Sequence, residues 1–224
     1  MKLGLVLECD AGGPDDLVLT CFARRLSREI DVESTALGRK EQLFLKGVET
    51  AVELVESSEC DLVLIVWDLK PYWNNATPNC EAEAEELRDK LQAAHETTAS
   101  KIKLLCLTWE LETWLIADAR AINAHLSTPE HKSKFKCTSP LTKTDAKAFL
   151  DGECRKHRGK TRRYVDFREA IQIAREIPDT SKVGRIPSFD RFSTLISGNA
   201  GANFQRPATT CDDLVYQAFQ LGRA

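Results

Sequence analysis

Apolar residues along the chain alternate between short unbroken runs and longer stretches of helical periodicity. The first run, Leu3 to Leu7, ends abruptly in Glu8. A short continuous apolar run suits a strand buried on both faces, as in a parallel sheet. Pro14, behind Gly13, is well placed as a first helical residue, and Leu17, Val18, Cys21, Phe22 and Leu26 predict a helix to about Arg28. Asp31 to Ala36 is a weaker strand candidate, and Gly38 to Val55 predicts a second amphipathic helix. Asp61 to Asp68 (DLVLIVWD) carries the strongest strand pattern, and the proline- and asparagine-rich stretch Leu69 to Asn79 reads as a loop. An acidic, alanine-rich helix is predicted from Cys80 to Thr97, a fourth buried strand from Lys103 to Thr108, and a helix from Glu110 to Asp118 that opens with acids at its positive end.

Strand followed by helix thus recurs about four times within roughly the first 125 residues, the pattern of an α/β fold with a parallel sheet of about four strands flanked by helices. Beyond Asn123 the character changes. His125 to Leu141 is polar and loop-like, Thr144 to Glu153 predicts a short helix, and Arg155 to Arg163 is a basic run. Phe167 to Glu176, Ser188 to Ile196 and Thr210 to Leu221 read as helical. The division expected is a sheet domain over 1–125 and a C-terminal helical extension over 126–224 packed on it.

Composition changes this picture little. At 224 residues the chain can bury a substantial core, and 34 acidic against 31 basic residues give no whole-chain attraction to a polyanion. The eight cysteines are scattered singly without zinc-ligand spacing, and those inside apolar runs, Cys21 and Cys106, are expected as free thiols acting as small hydrophobes. No leader-like pattern and no apolar run of membrane-spanning length is seen, so a reduced, cytoplasmic protein with no membrane partner is expected.

The acids change it more. Glu8, Asp68 and the pair Glu110/Glu112 each follow a predicted buried strand. In a parallel sheet those ends share one edge, where open α/β folds place their ligands. Carboxylates gathered there suit a hard cation such as magnesium, and two such ions can clamp the attacking and leaving oxygens of a phosphoryl transfer. The loop after Glu8 adds Asp10, Asp15 and Asp16. A solvated acidic loop is the plainer reading of that stretch.

With these residues in place the chain resembles the Toprim domains of topoisomerases, bacterial primases and overcoming-lysogenization-defect (OLD) nucleases. Glu8 matches the glutamate that follows the family's first strand, and Asp68 the first of two aspartates separated by one residue after the third. Gly13-Pro14-Asp15-Asp16 is similar to the family's glycine-and-acid turn, with extra residues between. Glu110 to Leu115 resembles the glutamate-rich helix start of the OLD-type nucleases. Extended through Ile116-Ala117-Asp118, it is closer still to a bacterial Toprim-like family of uncharacterised function, often encoded beside an AAA ATPase in phage-defence loci. That family also tends to carry a late Ser-Phe-x-Arg-Phe segment, matched by Ser188 to Phe192. The resemblance implies a Toprim-like Rossmannoid sheet and a magnesium- or manganese-dependent nuclease. Its catalytic residues would be Glu8, Asp68 and Lys70, its metal ligands Glu8, Asp68, Glu110, Glu112 and Asp16, and its partners nucleic acid and an AAA ATPase, with oligomerisation open. The departure is Lys70, which stands where the second aspartate belongs. An ammonium there could take the place of a second cation, contact a phosphate, or mark lost chemistry.

Six Lys/Arg occur in the nine residues Arg155 to Arg163. Arg155, Lys156, Arg158, Lys160, Arg162 and Arg163 fit sequence-independent contact with a phosphate backbone, or equally a solvated surface loop; Arg185, Arg191 and Arg206 could extend that surface. His95, His125, His131 and His157 lie away from the strand ends and read as structural or solvent-facing. Trp67, Trp109 and Trp114 fit the core, whereas Trp73 is a candidate to line the site. Three functions stay open: a nuclease whose base is Glu8 or a metal-bound hydroxide; a non-catalytic Toprim module that binds nucleic acid or an ATPase; and a receiver-type phosphoacceptor, built on Asp68 with Glu8, Asp10 and Thr108, for which a fifth strand and its lysine are missing.

Overall fold

The computed structural model describes residues 1–72, 79–94 and 96–199. Trp73, His95, Arg206 and the helix predicted over Thr210 to Leu221 lie outside these described residues. Four strands, β1 (Lys2–Leu7), β2 (Asp31–Ala36), β3 (Leu62–Asp68) and β4 (Ile102–Leu107), form one sheet in the order β2-β1-β3-β4 with every pairing parallel. This is the fold class the apolar runs predict.

The alternation along each strand sorts the core into two layers. Leu3, Leu5 and Leu7 of β1, Leu62, Leu64 and Val66 of β3 and Leu105 and Leu107 of β4 share one face. It is covered by α1 (Pro14–Leu26) and by helices of the C-terminal half. Val6, Val63, Ile65, Trp67 and Leu104 point the other way, against α2 (Lys40–Glu56) and α3 (Cys80–Leu91). Side chains at successive strand positions must face opposite sides, so a run apolar at every position demands helices on both.

Several element ends differ from the sequence reading. The helix expected over Cys80 to Thr97 stops at Leu91, where the amides of Ala93 and Ala94 turn back to Lys90 and Leu91, and α4 (Glu96–Lys101) then leads directly into β4. The helix expected over Glu110 to Asp118 contracts to α5 (Glu112–Ile116), because Asp118 accepts from the amide of Arg120 at 3.0 Å and caps α6 (Ala119–Leu126) instead. The short helix expected to end at Glu153 runs on as α7 (Ala146–Arg158), capped by Asp145. The first half of the basic run is therefore its last turn, where cations complement the helix dipole. Helices α8 (Asp166–Glu176) and α9 (Pro187–Asn199) complete the described chain.

The extension joins the core of the first half. Arg25 of α1 donates to the carbonyls of Ile177 and Arg175 at 2.6 and 2.7 Å, beyond and within the end of α8. Ser188 accepts from Trp114 Nε1 at 2.9 Å, and Phe189 and Phe192 pack their rings against Trp114. The late Ser-Phe-x-Arg-Phe segment thus holds α9 against α5. Two cysteine expectations are corrected: Cys106 is bonded to Cys80, and Cys21 is also disulfide-bonded. Sulfur pairing depends on proximity in the fold, which chain spacing alone does not encode. Cys9, Cys60, Cys137 and Cys154 are free. Among the described residues, no helix is long and apolar enough to cross a membrane.

Candidate functional site

From β1 the chain crosses to β2 on one side of the sheet and returns to β3 on the other. Connections therefore diverge between the carboxyl ends of β1 and β3, the crevice in which open α/β sheets take ligands. Glu8 directly follows β1, and Asp68 closes β3. The Asp68 amide donates to Glu8 Oε1 at 3.1 Å, while Glu8 Oε2 and Asp68 Oδ1 are buried with no hydrogen-bond partner.

The loop after Glu8 is folded tightly. Gly12 has φ +69°, and the Gly13 amide closes on the Asp10 carbonyl at 2.8 Å, leaving no room for a Cβ at Gly13, which would meet that carbonyl at 2.7 Å. Asp16, expected as a metal ligand, accepts from the Gly12 amide at 3.2 Å and braces the loop. Asp15, one residue earlier, is the acid felt by Asp68: after burial, its charge is the largest influence raising the Asp68 carboxyl well above the usual range. Burial pushes Glu8 to about 8, against the pull of the Asp68 amide and Lys40, and pushes Asp15 to about 6, against Lys147. A carboxyl desolvated among other carboxyls holds its proton unless a cation compensates.

Glu110 and Glu112 also reach this group, and both act on Asp68 electrostatically. Each already has a protein partner from the extension. Glu110 Oε1 accepts the backbone amide of Lys147 at 2.6 Å, and Glu112 Oε1 accepts the Tyr164 hydroxyl at 3.2 Å. Burial raises Glu112 to about 8, with Glu110 adding to it and Lys147 opposing. Lys147 is the extension's own cation here. Burial works against its charge, but the bond to Asp166 and the attraction of Glu112 and Glu110 outweigh it, and its pKa is raised. Helix α7 and the loop before α8 thus complete an acidic centre that begins on the sheet.

Lys70 is held at the rim, where its ammonium pairs with Asp145 at 2.7 Å. Asp145 is at the same time the cap of α7. Trp109, expected in the core, is only half-buried: its backbone sits at φ +65° and its Nε1 donates to the Leu141 carbonyl at 2.7 Å. Trp67 and Trp114 are buried as expected.

Lys40 escaped the sequence reading. It opens α2 yet is only 7 % exposed. Its Nζ donates to the carbonyls of Asp68 (2.8 Å), Leu69 (3.3 Å) and Pro71 (2.8 Å) and pairs with Glu83 at 3.0 Å. Glu83 also accepts Trp67 Nε1 at 2.8 Å. One buried ammonium therefore clamps the end of β3 at Asp68 and the segment after it that carries Lys70. The signal was present: Lys40 falls in register with the buried Leu43, Phe44 and Gly47, a charge on the apolar stripe of α2.

The basic run divides in two. Arg155 pairs with Asp151 at 2.8 Å, Lys156 with Glu153 at 2.5 Å and Arg158 with Glu169 at 2.6 Å. Lys160, Arg162 and Arg163 are exposed and make no ion pair among the described residues. His125 is structural, bonded to Glu169 at 2.8 Å, and the rings of exposed His131 and half-buried His157 lie 5.3 Å apart.

Among the described residues, no three His, Cys, Asp or Glu side chains are placed to hold one metal ion together. Comparison with known proteins gives no match: no family model, no curated protein and no solved structure aligns with the chain.

Proposed function

We propose that the chain is a metal-dependent nuclease of Toprim type, with Glu8 and Asp68 as the ligands of a magnesium or manganese ion. The observation that carries this reading is the pair of buried, unpartnered oxygens, Glu8 Oε2 and Asp68 Oδ1, at the carboxyl ends of β1 and β3. Buried polar atoms are ordinarily satisfied, and an orphaned carboxylate oxygen fits a cation. Asp15 adds charge to the same group, and Glu110 and Glu112 surround it from β4's end. A divalent ion there would supply charge stabilisation at a transferring phosphoryl group and a more acidic water. This chain's residues would do the rest. Lys40 holds the Asp68 loop, Tyr164 and the Lys147 amide orient Glu112 and Glu110, and Arg162 and Arg163 attract the phosphate backbone.

The test is cleavage of plasmid DNA and of structured RNA under magnesium and manganese titration, with and without an AAA ATPase encoded beside the gene. Glu8→Gln and Asp68→Asn keep the site's shape but remove ligand charge, and each is expected to lower cleavage by several orders of magnitude. A second reading is a non-catalytic module for nucleic acid or an ATPase partner. It is favoured by the engagement of Glu110 and Glu112 with protein donors and by the lack of a ready three-ligand set among the described residues. Wild-type protein inactive in every combination, with a melting temperature indifferent to both metals, selects that second reading.

A further inference from the structure

We infer that the turn between α7 and α8 forms a seat for a phosphomonoester, the terminal phosphate of a nucleic-acid strand. Gly159, at φ +98°, ends α7 and swings the chain around a depression of about 530 Å³. Arg158, Arg162, Arg163 and Arg168 line it, with Thr161 and a single acid, Glu169. That acid is already committed: it accepts from Arg158 at 2.6 Å and bonds His125 at 2.8 Å, while Arg168 stands 3.8 Å away. Four guanidiniums thus share one carboxylate in a single concavity: Arg158 is tied to it and to His125, whereas Arg162 and Arg163 make no ion pair among the described residues. Guanidinium groups bind phosphate oxygens in paired, planar hydrogen bonds, and a hydroxyl such as that of Thr161 adds a donor.

The arrangement favours an end over a track. A backbone track needs cations spaced along a line, yet Arg155 and Lys156, one turn back along α7, are each neutralised by an acid of their own helix. Among the described residues, the cations of the basic run without an ion pair are Arg162 and Arg163 in the depression and Lys160 beside it, and this local positive charge suits the extra negative charge of a monoester over a diester. Tyr164, between Arg163 and Val165 of the lining, turns inward instead and donates to Glu112. One short loop therefore carries the phosphate seat on its outer side and a contact to the acidic centre on its inner side. The identification of the phosphate's bearer as nucleic acid rests on the reading proposed above.

The experiment measures binding of the full chain to fluorescent single-stranded oligonucleotides with a terminal phosphate or a terminal hydroxyl, without divalent cation and at fixed ionic strength. The phosphorylated probe is expected to bind about tenfold more tightly. Arg162→Gln and Arg168→Gln should each remove most of that preference, and inorganic phosphate should compete it away. Arg155→Gln and Lys156→Gln should leave it intact. Asp68→Asn should also leave it intact, so that failure of the acidic centre and failure of the seat are told apart. Equal affinity for the two probes overturns the proposal. So does an equal loss in Arg155→Gln or Lys156→Gln, which would mean a diffuse basic surface.

Discussion

The Asp68 amide donates to Glu8 Oε1 at 3.1 Å, so the backbone that carries one carboxylate fixes the orientation of the other. The bond crosses from β3 to β1 at the point where the sheet's connections diverge. It uses one oxygen of Glu8 and leaves Glu8 Oε2 and Asp68 Oδ1 buried and unpartnered. Such a pair carries an electrostatic cost in the metal-free protein, and that cost is measurable.

Glu8 and Glu112 are both raised from an ordinary 4.5 to about 8 by burial, and Asp68 is raised in the same direction. Raised carboxyls keep their protons in the folded state at a pH where the unfolded chain has lost them. Their contribution is therefore most favourable below about pH 4.5 and declines as pH rises towards about 8. In metal-free buffer the melting temperature should fall between about pH 5 and 8. Glu8→Gln should reduce that fall and stabilise the protein by about 1–2 kcal/mol near neutral pH. On the proposed metal-site reading, millimolar magnesium or manganese should restore the wild type and leave Glu8→Gln unmoved. A wild-type melting temperature that climbs over this range would contradict the burial of these charges.

Lys40→Met removes the ammonium that holds three carbonyls and leaves Glu83 buried at 1 % side-chain exposure without its cation. Breaking a buried pair from one side costs about 3–5 kcal/mol, whereas replacing both partners by apolar groups costs far less. Lys40→Met should accordingly be severely destabilising, and Lys40→Met/Glu83→Leu milder than either single change predicts. Denaturant titration of the four proteins measures the coupling. Strict additivity would show that the two charges are independently solvated.

The strands were legible because apolar runs bounded by acids have few other uses, and β1 and β3 begin and end within a residue or so of their patterns. Glu8 and Asp68 were legible for the same reason, since strand ends of a parallel sheet must share an edge. Asp15 was not distinguished from Asp16, because two adjacent acids in the first turn of one helix gain different neighbours only once that helix is placed: Asp16 accepts the Gly12 amide, and Asp15 acts on Asp68. Lys147 and Tyr164 were hidden for a different reason. They reach the centre from a segment 37 and 52 residues beyond their partners Glu110 and Glu112, and no local period encodes such a contact. The basic run looked uniform because its acids, Asp151, Glu153 and Glu169, lie outside it in sequence.

Tyr164→Phe deletes only the hydroxyl that donates to Glu112 in a buried setting. It should cost about 1 kcal/mol of stability. Phenylalanine leaves the ring packing in place, so the cost belongs to the hydrogen bond. In the Glu112→Leu background the same change should be nearly neutral, since no acceptor remains. Thermal or denaturant unfolding of the four-protein cycle checks this. An undiminished cost in the second background would assign the loss to the ring's position.

Lys70 offers the sharpest division between tethering and chemistry. Its ammonium pairs with Asp145, with side-chain exposures of 32 % and 50 %, so the pair should contribute under about 1 kcal/mol to stability. Asp145 also caps α7, and asparagine caps as well as aspartate, so Asp145→Asn removes the charge and spares the cap. On the proposed nuclease reading, if the pair serves to hold α7, and with it the Lys147 amide on Glu110, then Lys70→Gln and Asp145→Asn should lower cleavage by similar, modest factors. The double variant should be no worse than either single one. A lysine that contacts the scissile phosphate behaves otherwise: Lys70→Gln then loses orders of magnitude while Asp145→Asn, which frees the ammonium, stays near wild type or gains. The observed geometry predicts the first pattern, and cleavage rates for the three variants decide it.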